Sequence, residues 1–458
     1  MLFIKKLYLE LLKKLSPQIV LTLSFVFVIL LGSVLLMQPF SLNGTELSFG
    51  NSLFTSTSAT CVTGLAVVDT GTHFSLIGKI IILLLIQIGG LGVMSISVLL
   101  LLFIRGKFGI GSREIIQETL TYFETNNVKD LFKSVFIFTI TIEAIGAVLL
   151  IIRFLFDMPF EEAVFSGIFH SVSAFCNAGF SLFPDSLVRY QSDFYVNFVI
   201  AMLIIIGGIG FIVMYDLKDV AKRKKTFSRL TLHSKIVLRI SGLLIIVGAI
   251  FIFIFEYHVS MNNMDLKTKL LMSFFQSITT RTAGFNTLDI HSISMPTLFF
   301  ITVLMYIGAS PASTGGGIKT TTIAVLYAYI KTRIKNTKNV NINFSTLPSK
   351  LISKAIVINV FAIIIVVASA FILTIVELEH IPFSVNGDKF LEIFFEVVSA
   401  LGTVGLSTGI TSYISIFGKF ILILLMICGR VGPLTIAMAI GAKEKIDIKY
   451  AEDNLLIG

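Results

Sequence analysis

Long apolar stretches recur along the chain at about 17–38, 74–104, 131–156, 192–216, 233–256, 292–330, 349–377 and 414–441. Each meets the roughly 20 apolar residues that a bilayer-crossing helix requires. Between the members of each successive pair lies a shorter stretch rich in Ser, Thr, Gly and Phe, around 50–66, 160–181, 268–287 and 389–408. These four are too short and too polar to cross, and they read as re-entrant segments. The pattern predicts an all-α membrane protein of eight transmembrane helices, in which a span–re-entrant segment–span unit is written four times.

Basic residues set the orientation. Of the 36 Lys and Arg residues, 26 fall before the first span, between spans two and three, four and five, six and seven, or after the eighth. The other side holds mainly Asp and Glu. By the positive-inside rule both termini are cytoplasmic and the re-entrant segments enter from outside.

Composition narrows the class. The 458 residues are 55% hydrophobic and 14% charged, with a mean hydropathy of +0.92. Ordinary soluble domains carry about a quarter charged residues, so a cytosolic enzyme and a disordered scaffold are both excluded. Three cysteines, Cys61, Cys176 and Cys428, do not make a disulfide framework. The net charge of +9 is accounted for by topology, and no nucleic-acid partner is implied. The basic, amphipathic start of the chain (1–16) suits a cytoplasmic interfacial helix. No cleavage-site pattern follows the first apolar run, so that run is expected to remain as a span. The domain boundaries that follow are four units at 17–104, 131–221, 233–331 and 349–441, with a cytoplasmic tail at 442–458.

The four re-entrant segments align on a glycine: SATCVTGL on Gly64, SAFCNAGF on Gly179, ITTRTAGF on Gly284 and SALGTVGL on Gly405. Ser-Ala precedes three of these glycines by six and five positions, and Leu or Phe follows all four. A second echo lies downstream: Gly89-Gly90-Leu91-Gly92, Gly207-Gly208-Ile209-Gly210 and Gly429-Arg430-Val431-Gly432. Irregular backbone at membrane depth survives only where protein buries it or where it lines a water-filled path. Four glycine-centred segments can surround one axis, and glycine lets carbonyl oxygens turn inward without a Cβ clash. A ring of carbonyls replaces the hydration shell of a monovalent cation. Short helices at 51–61, 165–176, 270–280 and 390–401 would aim their negative C-terminal ends at it. The candidate cation-binding backbone is therefore Val62, Thr63 and Gly64; Asn177, Ala178 and Gly179; Thr282, Ala283 and Gly284; and Thr403, Val404 and Gly405. The paired glycines of the second echo equally suit close helix packing.

The sixth span is interrupted by Gly308-Ala309-Ser310-Pro311-Ala312-Ser313-Thr314-Gly315-Gly316-Gly317-Ile318-Lys319. Proline and consecutive glycines cannot sustain a regular helix. A phosphate-binding loop would place Gly directly before Lys, after a strand; here Ile318 precedes Lys319 inside an apolar span. The insert reads as a mobile plug, or as a plain proline kink. Arg430 is a charge within a span and a functional candidate. Facing the axis at about 6 Å and an effective dielectric of about 20, it would repel a cation by about 3 kcal/mol; otherwise it binds a cluster of carbonyls. Arg281, three residues before Gly284, is expected to pair with Glu396 of the next unit and brace the ring from behind. Asp69, Asp185 and Asp289 follow their segments and would concentrate cations at the mouth, or are solvated surface acids. The six histidines show no metal-ligand spacing, and no catalytic constellation is present.

TCVTGLAVVDT (60–70), HSVSAFCNAGF (170–180), TTRTAGFNT (279–287), SALGTVGLSTG (399–409), GASPASTGGGIKTTT (308–322) and GRVGPLTIAMA (429–439) resemble the Trk/Ktr/HKT superfamily of potassium transporters, most closely its Ktr-type membrane subunits. The resemblance covers essentially the whole chain. It implies a homodimer in the cell membrane, each subunit with its own pore, resting on a cytosolic ring of regulatory subunits that bind ATP or ADP. It implies a gating role for the loop in the sixth span, and sodium as an activator in some members. Glycine at all four ring positions goes with potassium preference in this superfamily, and serine at the first with sodium; here the first is Gly64. Two other readings remain: the membrane subunit of an ATP-driven potassium pump, and a secondary cation carrier. A carrier with inverted repeats would match in opposite topology, whereas these four units match in the same one.

Overall fold

The computed structural model describes residues 17–105, 128–222, 227–378 and 389–432. The interfacial helix expected at 1–16, the tail at 442–458 and the far end of the eighth span lie outside these residues. Helices α1 (Pro17–Leu36), α2 (Phe49–Thr60) and α3 (Leu76–Arg105) form the first unit. The second comprises α4 (Val128–Phe154), α5 (Phe160–Phe175), α6 (Phe194–Ile209) and α7 (Phe211–Lys222). The third comprises α8 (Leu232–Glu256), α9 (Leu266–Thr279), α10 (Met295–Tyr306) and α11 (Thr320–Ile334). The fourth comprises α12 (Ser349–Leu378), α13 (Lys389–Gly402) and α14 (Ile416–Val431). A two-residue hairpin, β1 (Asn341–Ile342) with β2 (Ser345–Thr346), joins the third and fourth units.

Among the described residues three helices, Lys133–Phe154, Leu232–Glu256 and Ser349–Leu378, are long and apolar enough to cross a membrane, and α6 with α7 makes a fourth, bent by 99°. Thr22–Leu36, Leu76–Leu91 and Met295–Tyr306 are shorter apolar helices. Their outer faces are apolar and exposed, as at Ile246, Ile250 and Ile254 on α8 and Ile364, Val367 and Phe371 on α12. The hydroxyl-rich short helices are buried instead, with Ser56, Thr57 and Ser58 fully enclosed. Apolar outside and polar inside is the arrangement that lipid, not water, favours.

One bond recurs between the first helix of a unit and its short helix. Ser56 Oγ donates to Ile29 O at 2.7 Å, Ser171 Oγ to Glu143 O at 2.7 Å, and Ser277 Oγ to Ile245 O at 2.7 Å. Gly32, Gly146 and Gly248, three residues further along each first helix, leave room for that serine. The fourth unit has Val397 at the matching position and packs it into the core.

The fourth span was expected to run unbroken over 192–216; it breaks at Gly210. Gly210 takes φ +92, its missing Cβ would sit 2.5 Å from Pro311 O, and Phe211 N–H donates to Ala312 O at 2.9 Å. The insert of the sixth span intrudes there and captures the backbone that α6 releases. The equivalent glycine of the fourth unit, Gly432, takes φ +100 and ends α14. The short helices begin five and four residues earlier than expected in the second and third units, after Pro159 and Asp265.

Candidate functional site

The structure brings the four segment glycines together. A Cβ placed on Gly64 would lie 2.5 Å from Ala178 O and one on Gly179 would lie 2.6 Å from Ala283 O; on Gly284 it would press closer still on Val404 O, and on Gly405 on Thr63 O. Each glycine thus abuts the carbonyl that precedes the glycine of the next unit, and the series closes on itself. All four glycines have positive φ, +93, +69, +79 and +90, and so do Val62, Asn177, Thr282 and Thr403 two residues before them. Alternating left-handed and ordinary residues turns successive carbonyls to the same side. Glycine is required here twice over, for its φ and for the missing Cβ.

Most of the segment amide hydrogens are spent behind the ring. In the first unit Val62 N–H donates to Ala59 O, and Thr63 N–H to Ser58 O at 2.8 Å, while Gly64 N–H donates to Ser58 Oγ at 3.1 Å. The fourth unit repeats this with Thr403 to Ala400 O and Val404 to Ser399 O, and Gly405 to Ser399 Oγ at 3.1 Å. In the second, Ala178 N–H donates to Ser173 O and Ser173 Oγ to Phe180 O; in the third, Ala283 and Gly284 N–H both turn to Thr279 O. Sequence reading found the Ser-Ala pair but gave it no role. Its serine is the acceptor that holds the amides away from the axis.

Above the ring lies a cavity of about 370 Å³ bordered by residues of all four units, among them the four glycines, Asp69 and Ser407. Asp69 caps the one-turn helix Thr70–His73 through Thr72 N–H. Burial holds His73 below the ordinary imidazole range against the opposing pull of Asp69. Asp185 and Asp289 do not border the cavity. Asp185 pairs with Arg189 at 2.9 Å, and Asp289 caps the turn at Ile290.

Below the ring, the insert of the sixth span is folded in place. Gly316 N–H donates to Thr403 Oγ1 at 3.0 Å, and Thr314 Oγ1 to Phe175 O at 3.1 Å. Ser310 and Thr314 N–H donate to Gly208 O and Gly207 O, and a Cβ on Gly315 would strike Thr282 Oγ1. Lys319 Nζ donates to Gly315 O at 2.8 Å, and Ser313 Oγ to Ser310 O, closing the loop on itself. Gly308 and Gly317 stack without side chains at its neck, and Ala309 N–H bonds to Gly316 O. The insert is a folded loop bonded to the second and fourth units. Arg430 donates to Thr314 O of the insert and to Gly89 O of α3.

The second glycine echo serves packing. Gly89, Gly207 and Gly429 let backbones approach the terminal carbonyls of the short helices, Thr60 O, Phe175 O and Leu401 O. Cys61, Cys176 and Cys428 are buried free thiols.

The expected pairing of Arg281 with Glu396 is overturned. Arg281 Nη2 donates to Ser241 Oγ at 3.1 Å, whereas Glu396 accepts from Ser407 and from Thr411 Oγ1, the latter at 2.9 Å. Each bonds within its own unit instead, and Arg281 Nε and Glu396 Oε2 are left without a partner. Reversing both charges is therefore expected to restore neither the folded yield nor the cation preference lost in the single reversals. Equal recovery in the double variant, measured by cation uptake per inserted protein, would restore the pairing.

Apolar flanks and a hydroxyl-rich interior define a helical membrane protein in which four glycine-centred segments meet. The chain belongs to the TrkH family of cation transport proteins, whose family model it matches over residues 16–445. It is 41% identical to the Ktr system potassium uptake protein B of Bacillus subtilis (strain 168) over 445 residues, 97% of each chain. It is 40% identical to the protein of the same name from Vibrio alginolyticus, over 97% of this chain and 95% of that one. The fold matches the crystal structure of the potassium transporter TrkH from Vibrio parahaemolyticus with a TM-score of 0.73, covering 93% of this chain and 85% of that one at 19% identity.

Proposed function

We propose that this chain takes up potassium across the cell membrane through a channel-like pore whose selectivity filter is the four-glycine ring. The observation that carries this reading is the closed series of Thr63, Ala178, Ala283 and Val404 carbonyls against Gly405, Gly64, Gly179 and Gly284, with the segment amides bonded behind them. A ring that offers oxygens and withholds amide hydrogens suits a dehydrated cation and repels anions. The chain then forms eight spans in four pseudo-symmetric units, with both termini cytoplasmic and the short helices entering from outside. Potassium is the cargo; no resident cofactor is required.

The plug at 308–319 closes the path beneath the ring, and Arg430 latches it to α3. The exposed basic edge formed by Lys218, Lys222, Lys331, Arg333 and Lys335 faces the cytoplasm, where it suits a nucleotide-binding regulatory ring beneath a homodimer. An inside-negative potential contributes about 2.3 kcal/mol per charge per 100 mV, enough to drive uptake without chemistry in this chain. Proteoliposomes holding the chain are expected to accumulate rubidium or potassium when an inside-negative potential is imposed without ATP, and to stop when it is collapsed. Uptake that requires ATP hydrolysis would point to a pump subunit. Uptake tied to the gradient of a second ion would point to a carrier.

A further inference from the structure

We propose that two side-chain clips in opposite quarters, His170–Ser181 and Glu396–Ser407, fix the outer lip of the ring and set its discrimination among monovalent cations. The inference rests on the reading of the ring as a selectivity filter.

The two clips occupy the same register. His170 and Glu396 stand nine residues before Gly179 and Gly405 on the short helices; Ser181 and Ser407 stand two residues after those glycines. His170 Nε2 meets Ser181 Oγ at 3.0 Å. Its Nδ1 lies 2.7 Å from Ser166 O, a carbonyl that can only accept, so Nδ1 carries the hydrogen and a neutral ring presents Nε2 as the acceptor. Glu396 accepts from Ser407 Oγ and Thr411 Oγ1. Both serines also close the same turn: Ser181 Oγ accepts from Phe183 N–H at 3.0 Å, and Ser407 Oγ from Gly409 N–H at 2.9 Å. A buried acceptor on the helix thus holds, through one hydroxyl, the strand that leaves the filter. His170 and Glu396 are fully enclosed, while Ser181 and Ser407 border the cavity above the ring.

The other two quarters lack the device. The matching pairs are Thr55 with Ala66 and, in the register that aligns Ser277 with Ser56 and Ser171, Gln276 with Asn286, and the enclosed Gln276 amide has no hydrogen-bond partner. Thr55 Oγ1 bonds only within its own helix, to Asn51 O, and Ala66 has no group to offer. Asn286 is tied sideways, its N–H to Ser186 Oγ of the second unit. In the order of the ring, Gly179 and Gly405 lie across from each other. Two opposed quarters are therefore pinned from behind, and the carbonyls they place, Ala178 O and Val404 O, rest on the glycines of the two unpinned ones. Releasing a clip frees one carbonyl to move outward or inward and blurs the cavity size that separates potassium from sodium.

The test is the ratio of potassium to sodium uptake per inserted protein in proteoliposomes. Ser181→Ala and Ser407→Ala each remove one cavity-facing hydroxyl and leave packing nearly intact. Each is expected to lower the ratio about ten-fold, the scale of one buried hydrogen bond to a strong acceptor, and the double variant more. Glu396→Gln keeps an accepting oxygen and is expected to stay within about two-fold of the native ratio, whereas Glu396→Val should match Ser407→Ala if it inserts. Thr55→Val, at the same helical register without a clip, should leave the ratio unchanged. Serine variants with the native ratio, in a preparation where Gly64→Ser loses it, would overturn the clips and leave the filter standing. A native ratio in Gly64→Ser as well would overturn the filter reading, and the clips with it.

Discussion

Alanine at Gly405 is expected to abolish the preference for potassium over sodium, with alanine at Gly284 close behind and at Gly64 and Gly179 somewhat milder. Two costs act together. An L-residue at φ near +90 is strained by about 1–2 kcal/mol, and the new Cβ would overlap a backbone carbonyl of the next unit that no side-chain rotation can move aside. That overlap is tightest for Gly405 against Thr63 O and Gly284 against Val404 O. The displaced atom is the neighbour's ring oxygen, so each substitution damages two quarters at once. A combined cost of about 3 kcal/mol corresponds to a loss of about a hundred-fold in discrimination. Competitive uptake of the two ions measures it directly. An unchanged ratio in Gly405→Ala would show that the ring oxygens do not select.

Arg430→Gln is expected to raise uptake sharply, because among the described residues Arg430 is the one side chain that ties the plug to a neighbouring unit by charge-assisted bonds on both sides. Its donors reach Thr314 O within the plug and Gly89 O on α3. Hydrogen bonds involving a charged group contribute about 1.5–3 kcal/mol each. Losing both would shift a closed plug toward an open one by at least about a hundred-fold where those bonds exist only in the closed form. The remaining ties, Thr314 Oγ1 to Phe175 O, Gly316 N–H to Thr403 Oγ1, Ser310 and Thr314 N–H to Gly208 O and Gly207 O, and Phe211 N–H to Ala312 O, are neutral and individually weaker. Initial uptake rates at fixed potential are the readout, and the selectivity ratio should stay native. A lower rate in Arg430→Gln would mean that the guanidinium supports an open path instead of a closed one.

Much of this was legible because membrane depth restricts what a sequence can do. Hydropathy located the apolar helices, and the register of Gly64, Gly179, Gly284 and Gly405 located the ring, since only glycine satisfies both its φ and its missing Cβ. What stayed hidden depends on contacts between distant segments. The break at Gly210 follows from Pro311 and Ala312, a hundred residues on, and nothing local to Ile209-Gly210-Phe211 announces it. Arg281 and Glu396 were matched by charge, yet each bonds to hydroxyls of its own unit, Ser241 for one and Ser407 and Thr411 for the other, in place of an ion pair between units. Ser58 and Ser399 were visible as repeats, but their task, accepting the ring amides, shows only once the backbone has turned.

The central claim is that main-chain oxygens of four units hold a potassium ion on one axis. Crystals of the chain grown or soaked in rubidium, measured at the rubidium absorption edge, test it most directly. The account predicts an anomalous peak equidistant from the carbonyls of Thr63, Ala178, Ala283 and Val404, lost on exchange into sodium. Rubidium bound elsewhere with that position vacant, or amide hydrogens lining it, would contradict the account.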